Sequence, residues 1–267
     1  MRVIAVTNQK GGSGKTTSAV NVAAALGETG KRVLVVDLDP QANASLWFGA
    51  NDGGRALLEV LTEDRALGTV VRATAIPGVD IVPTSDWLIG VDKALASEVG
   101  AETILRRALS SLPQQWDLVL LDCPPSLGLL AISALAACQE VLVPVEMSAM
   151  ALAGLAGLMK TMDRVRERLN PALRMAGVLA CRVDGRTRLH QDILASLRER
   201  FGSDVFKTVI RENIRIKEAW SFAKPITSYD TRSSGAEDYR AVAAELVDRE
   251  PKEQRQQVKK KKKRGGA

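Results

Sequence analysis

The run Lys10-Gly11-Gly12-Ser13-Gly14-Lys15-Thr16-Thr17 stands between a short apolar segment, Val3–Thr7, and a stretch of helical character. Gly11, Gly12 and Gly14 let the backbone turn tightly and aim successive N–H groups at anionic oxygens. A helix opening directly behind them adds the positive end of its dipole. Lys15 then supplies a cation for β- and γ-phosphate oxygens, and the Thr16 hydroxyl a ligand for Mg²⁺. Glycine, lysine and threonine thus fall at the offsets of a phosphate-binding loop, with Ser13 and Thr17 inside the same nucleotide-contacting run. Two further apolar runs end in carboxylates. Val33–Asp37 continues as Leu38-Asp39-Pro40-Gln41, and Leu118–Asp122 as Cys123-Pro124-Pro125-Ser126. In a parallel sheet the strand C-termini line the ligand crevice, on the same edge as the phosphate loop. Asp37 and Asp39 are therefore poised near Mg²⁺ and the γ-phosphate. Asp122 fits a Walker B carboxylate that binds the ion directly or through water. The two prolines stop the second strand and stiffen the loop behind it.

Such a site needs strands that end together and a helix that starts on the phosphates. Strands are expected at Val3–Thr7, Val33–Asp37, Asp80–Pro83, Leu118–Asp122, Val141–Val145, Ala176–Cys181 and Val205–Ile210. They read as nearly continuous apolar runs, the pattern of strands covered on both faces. Helices are expected at Thr16–Glu28, Asp86–Val99, Thr103–Leu112, Leu129–Ala137, Ala151–Leu169, Leu189–Arg200 and Gly235–Arg249, with Gly30 closing the first. The alternation implies an α/β fold: a mainly parallel twisted sheet with helices on both faces. One domain is expected over residues 1–250, followed by a polar tail over 251–267. Six cations, Lys259–Arg264, account for the whole formal net charge of +6, so the body is close to neutral. A run of this kind is usually disordered and solvated, and it attracts polyanions. The three cysteines (Cys123, Cys138, Cys181) have no CxxC spacing and read as reduced thiols. His190, the one histidine, reads as a surface residue. No 18-residue apolar run and no signal-peptide core are present, so a cytoplasmic protein is expected.

The general Walker spacing carries a glycine ahead of Gly11. The string KGGSGKTT instead resembles the deviant Walker A motif of the ParA/MinD/nitrogenase-iron-protein superfamily. Together with DLDPQANAS and DCPPSLGLL, it resembles ParA/Soj partitioning ATPases along almost the whole chain, to about Asp248. That resemblance implies that Lys10 reaches across a homodimer to the partner's nucleotide. A cation delivered in trans makes ATP the glue of the dimer and stabilises charge on the transferred phosphoryl group. It further implies that Asp39 orients the attacking water, that Asp37 supports the metal shell, and that Asn213 contacts nucleotide. Arg186 and Arg215 match segments that bind nucleoid DNA in Soj-like proteins. Two departures stand out. Ser148, Ala149 and Met150 replace the usual glutamate and aromatics, and Arg211-Glu212 stands where the family has Pro-Arg near the adenine. The cluster of the nitrogenase iron protein would need a cysteine pattern that Cys123 and Cys138 do not supply.

The implied cofactors are ATP and Mg²⁺. The implied function is an ATP-dependent, dimerising switch ATPase that binds DNA non-specifically and partitions chromosome or plasmid DNA on the nucleoid, stimulated by a ParB-like or cargo-adaptor protein. Arginines and lysines with few aromatics between Arg186 and Arg232 suit phosphate contact without base readout. Two alternatives share the chemistry: a relative that positions a protein cargo on the nucleoid, and a MinD-like membrane switch. Residues 249–258 hold one valine and make no apolar face, so membrane insertion is not expected.

Overall fold

The computed structural model describes residues 1–51, 53–148 and 150–249. The elements run β1 (Arg2–Val6), α1 (Lys15–Glu28), β2 (Val33–Asp37), α2 (Asn43–Trp47), α3 (Ala56–Thr62), β3 (Arg72–Ala73), β4 (Val79–Val82), α4 (Val91–Ala94), α5 (Ile104–Ser110), β5 (Leu118–Asp122), α6 (Leu129–Ala137), β6 (Glu140–Glu146), α7 (Ala151–Arg168), β7 (Arg174–Cys181), α8 (Arg188–Phe201), α9 (Ile214–Ser221), α10 (Ile226–Tyr229) and α11 (Ser234–Asp248). Among the described residues the strands form one sheet of order β3-β4-β2-β5-β1-β6-β7. All neighbours are parallel except the two-residue β3.

Alternation along β1 shows how the core divides. Val3 and Ala5 join one apolar cluster with residues of α3–α8, while Ile4 and Val6 join the other with α1, α2 and α9–α11. Every residue of β1, β2 and β5 is buried, as expected of strands sandwiched between helical layers. Gly30 takes φ 78° just past α1, the conformation its position implied. At the opposite edge from the phosphate loop, Arg2 binds Glu140 through two nitrogens at 2.7 Å and the Leu246 carbonyl at 2.9 Å, tying β1, β6 and α11 together.

Two expected elements differ. Val205–Ile210 is not a strand: it meets β7 through an isolated bridge at Val178–Val205 and two backbone hydrogen bonds, Phe206 N–H to the Val178 carbonyl at 2.9 Å and Ile210 N–H to the Ala180 carbonyl at 2.8 Å, without forming a continuous ladder. Its Lys207 and Thr208 N–H groups turn to the Glu245 carboxylate at 2.9 and 3.0 Å, so they donate to α11 and not to a ladder. Asp86–Val99 is not one helix either. It is a 3-10 turn, Asp86–Gly90, followed by the single-turn α4, with glycine at the joint. The short α2, α3, α9 and α10 have no counterpart in the sequence reading, and tertiary contacts carry them. The tail over 251–267 lies outside the described residues.

Candidate functional site

The C-terminal ends of β1, β2, β5 and β7 converge on one cleft of about 440 Å³. Gly11 through Thr17 form one wall, and Asp39, Arg182 and the segment Ile210–Asn213 contribute to the others. Gly12 and Gly14 hold φ 72° and 90°, which L side chains rarely adopt, so the loop's shape depends on them. Gly14 directly precedes α1, whose first residue is Lys15. The helix therefore presents its unpaired N–H groups and positive dipole end to the cleft.

Lys15 is only 6% exposed, and its Nζ donates to the Lys10 carbonyl at 3.2 Å. Burial lowers its pKa, opposed by the charges of Asp122 and Asp39. The β2–β5 register sets Asp37 opposite Asp122 at the strand ends. Their environments differ. Asp37 Oδ2 accepts from the Ser45 N–H at 2.8 Å and the Ser45 hydroxyl at 2.7 Å, and Oδ1 accepts from Asp39 N–H at 3.2 Å. It is fully buried and does not line the cleft, so it anchors the loop that carries Asp39. Burial raises its pKa to about 6. Asp122 is equally buried, yet neither of its oxygens has a hydrogen-bond partner. Burial first, then the charge of Asp37, push its pKa well up; the Thr16 hydroxyl, near but outside hydrogen-bonding geometry, pulls it down.

A buried carboxylate without partners costs stability unless something binds it. A hard divalent cation fits. Among the described residues no group of three or more His, Cys, Asp or Glu side chains could hold a metal, but Mg²⁺ needs only one or two carboxylates beside phosphate oxygens and water. Asp122 and Thr16 are the residues that would hold it. Asp122→Asn should therefore raise the melting temperature of the nucleotide-free protein by several degrees, since it removes an unsatisfied buried charge costing about 1–3 kcal/mol. It should also remove the extra stabilisation that Mg²⁺ adds to nucleotide. The pH dependence has a definite sign. A carboxyl whose folded pKa is raised contributes stability that is complete below its unfolded value and is lost as pH rises through its folded value. For Asp37 that window runs from 3.8 to about 6. Carboxylates with lowered pKa, such as Glu140 and Glu245, act in the opposite sense in both proteins. Across this window the melting temperature of the nucleotide-free wild type should therefore fall relative to that of Asp122→Asn, where one of the two raised carboxyls is gone. A difference between the two that does not change with pH would refute this assignment.

Lys10 stands beside the cleft, not in its wall. Its Nζ pairs with Glu146 Oε2 at 2.8 Å and meets Ser148 Oγ at 3.1 Å, both on the end of β6 or just past it. Asp39 lines the cleft at 7% exposure, with its Oδ1 fixed by the Gln41 N–H at 3.0 Å. Asn213 also lines it. Its Oδ1 caps α9 through Arg215 N–H at 2.8 Å, and its Nδ2 donates to Ser234 Oγ at 2.8 Å. Arg186 and Arg215 lie outside the cleft. Arg186 is 91% exposed and pairs with Asp184 of its own loop; Arg215 pairs with Glu218 at 2.8 Å. His190 is half-buried: its Nδ1 accepts the Asp184 N–H at 2.9 Å and shapes the loop that carries Arg186. Cys123, Cys138 and Cys181 are free and buried, as expected of reduced thiols. Glu146, Cys181 and Arg182 have no part in the sequence reading of the site, although each ends or directly follows a strand that points at the crevice. Among the described residues no helix is long and apolar enough to cross a membrane.

Residues 1–175 match a family model described as an AAA domain. The sporulation initiation inhibitor protein Soj of Bacillus subtilis is 42% identical over 248 residues, which are 92% of this chain and 98% of that protein. The chromosome partitioning protein ParA of Myxococcus xanthus is 39% identical over 260 residues, 96% of this chain and 92% of its own. Among solved structures, the cobyrinic acid a,c-diamide synthase from Mycobacterium smegmatis with bound ADP and magnesium superposes with TM-score 0.81 at 33% identity, covering 92% of this chain and 94% of that one.

Proposed function

The chain belongs to the ParA/Soj family of partitioning ATPases, and on that premise we propose that it is a Mg²⁺-dependent ATPase whose ATP-bound homodimer binds DNA non-specifically to partition a chromosome or plasmid. The observation that carries the nucleotide part is the pairing of an open glycine loop at a helix start with the unpartnered Asp122 carboxylate one strand away. Phosphates on the loop would meet the N–H groups of α1, the Lys15 ammonium and the Thr16 hydroxyl. Mg²⁺, held by Thr16 and Asp122, would neutralise charge on the phosphate oxygens. Asp39 holds the attacking water, and Asp37 keeps the Asp39 loop in place through Ser45. Lys10 must exchange Glu146 and Ser148 for the phosphates of the partner's ATP, which couples nucleotide state to dimerisation. Hydrolysis is slow and is stimulated by a ParB-like or cargo-adaptor protein at the nucleoid.

Arg186 and Arg215 are weak phosphate ligands singly, because each is half-neutralised by a carboxylate of its own segment. Two protomers combine their patches, so DNA affinity should depend on ATP. The test is a salt titration of DNA binding with ATP and with ADP. The logarithm of affinity should fall with the logarithm of salt by about 0.9 per neutralised phosphate. Arg215→Ala should lose ATP-dependent binding while dimerisation stays intact. A chain ending at Val258 should lose affinity equally in both nucleotide states, since a polycation has no means of sensing the nucleotide. If truncation alone removes all binding and Arg215→Ala changes nothing, Arg215 has no part in DNA binding.

A further inference from the structure

The cleft extends from the phosphate loop to the segment Ile210–Lys217. With the phosphates of ATP on Lys15, as proposed above, the base lies at that far end. The family's Pro-Arg is replaced there by Arg211-Glu212, and Arg182, the first residue past β7, lines the same end beside Arg211 and Lys217. Arg182 holds φ 55°, a left-handed conformation uncommon for a residue with a side chain. Backbone strain of this kind persists only where surrounding contacts fix it. Those contacts are on the page. Arg182 Nη1 donates to Glu146 Oε1 at 2.6 Å, and its Nε donates to Glu212 Oε2 at 3.0 Å. Each carboxylate is also held from its other oxygen, Glu146 by Lys10 and Glu212 by Lys217, both at 2.8 Å.

This geometry has two consequences. Guanidinium hydrogen bonds are made in the plane of the group, so two carboxylates grip its edge and not its faces, and the side chain lines the cleft at 46% exposure. None of the described aromatic rings lies over it. Its charge, in contrast, is already faced by two carboxylates in an alternating chain, Lys10–Glu146–Arg182–Glu212–Lys217, which disfavours a role in attracting phosphate. A planar, delocalised, weakly hydrated cation with an open face is a surface on which heteroaromatic rings stack. Ile210 and Ile216 add apolar wall to the same end of the cleft.

We propose that Arg182, held flat by Glu146 and Glu212, is the platform on which the base of the bound nucleotide stacks, and that it sets a preference for purine over pyrimidine triphosphates. The larger purine ring covers more of the guanidinium face, so it gains more from the contact.

The test is equilibrium binding of ATP, CTP and tripolyphosphate to the full chain with Mg²⁺, for the wild type, Arg182→Ala and Arg182→Lys. Arg182→Ala should weaken ATP roughly tenfold, CTP less, and tripolyphosphate not at all. Arg182→Lys keeps the charge and an ion pair but not the plane; it should weaken ATP nearly as much, and it remains informative if the alanine variant does not fold. Unchanged ATP affinity in both variants overturns the proposal. So does an equal loss for all three ligands, which would mark Arg182 as a phosphate ligand or a strap between β6 and the loop before α9. Full rescue by lysine overturns it too. If the wild type binds neither ATP nor tripolyphosphate, the nucleotide reading itself fails, and that result is distinct from the others.

Discussion

Lys15→Gln lowers ATP affinity by about a hundredfold or more, equivalent to about 3 kcal/mol. The size follows from what surrounds the ammonium. Asp37, Asp39 and Asp122 all end on this edge, and Lys15 is the cation whose charge Asp122 and Asp39 both act on. Glutamine of similar length fills the space without the charge. A triphosphate entering the variant would meet carboxylates with no fixed counter-charge, in a buried setting where screening is weak. Titration with a fluorescent ATP analogue measures the loss, and a thermal melt shows that the variant is folded. Affinity within a factor of three of the wild type would mean that another cation carries the phosphates.

The sequence marks the glycine loop and the helix start behind it well because both are set locally. Seven residues from Gly11 to Thr17 supply glycine dihedrals, helix dipole, cation and hydroxyl without help from the rest of the chain. The strand ends Asp37 and Asp122 are legible for the same reason: each closes a continuous apolar run, and parallel sheets bring such ends together. The difference between them is not legible. Asp37 is satisfied by Ser45, eight residues on, through a turn whose Ala42 takes φ 54°. Asp122 is left without a partner, and no spacing rule distinguishes the two. The arrangement around Arg182, at the far end of the cleft, is hidden more deeply. Glu146, Arg182 and Glu212 come from three segments that meet only in the folded chain. The Val205–Ile210 run misleads for a related reason. Its composition suits a strand, and Phe206 and Ile210 N–H groups do reach β7, but between them the Glu245 carboxylate, from α11, captures Lys207 and Thr208 N–H and interrupts the ladder.

Asp39→Ala keeps ATP bound and slows turnover by about a hundredfold to a thousandfold, a usual range for losing a positioned general base. The side chain is suited to holding one water. Gln41 N–H fixes Oδ1 at 3.0 Å, and the Asp39 N–H is itself held by Asp37. The carboxylate thus lines the cleft in a set orientation and, unlike Asp122, is not expected to carry metal. Alanine removes the group that orients the water but none of the groups proposed to hold the phosphates. Nucleotide affinity should therefore stay within about threefold, and the proposed ATP dimer should persist because the step that dissolves it is blocked. Lys10→Ala gives the opposite pattern: ATP binds, but the trans contact is missing and the dimer does not form. Light scattering with ATP, read beside phosphate release, separates the two variants. Turnover at the wild-type rate in Asp39→Ala would show that another group positions the water. Loss of ATP binding would show that Asp39 belongs to the metal and phosphate set, with Asp122.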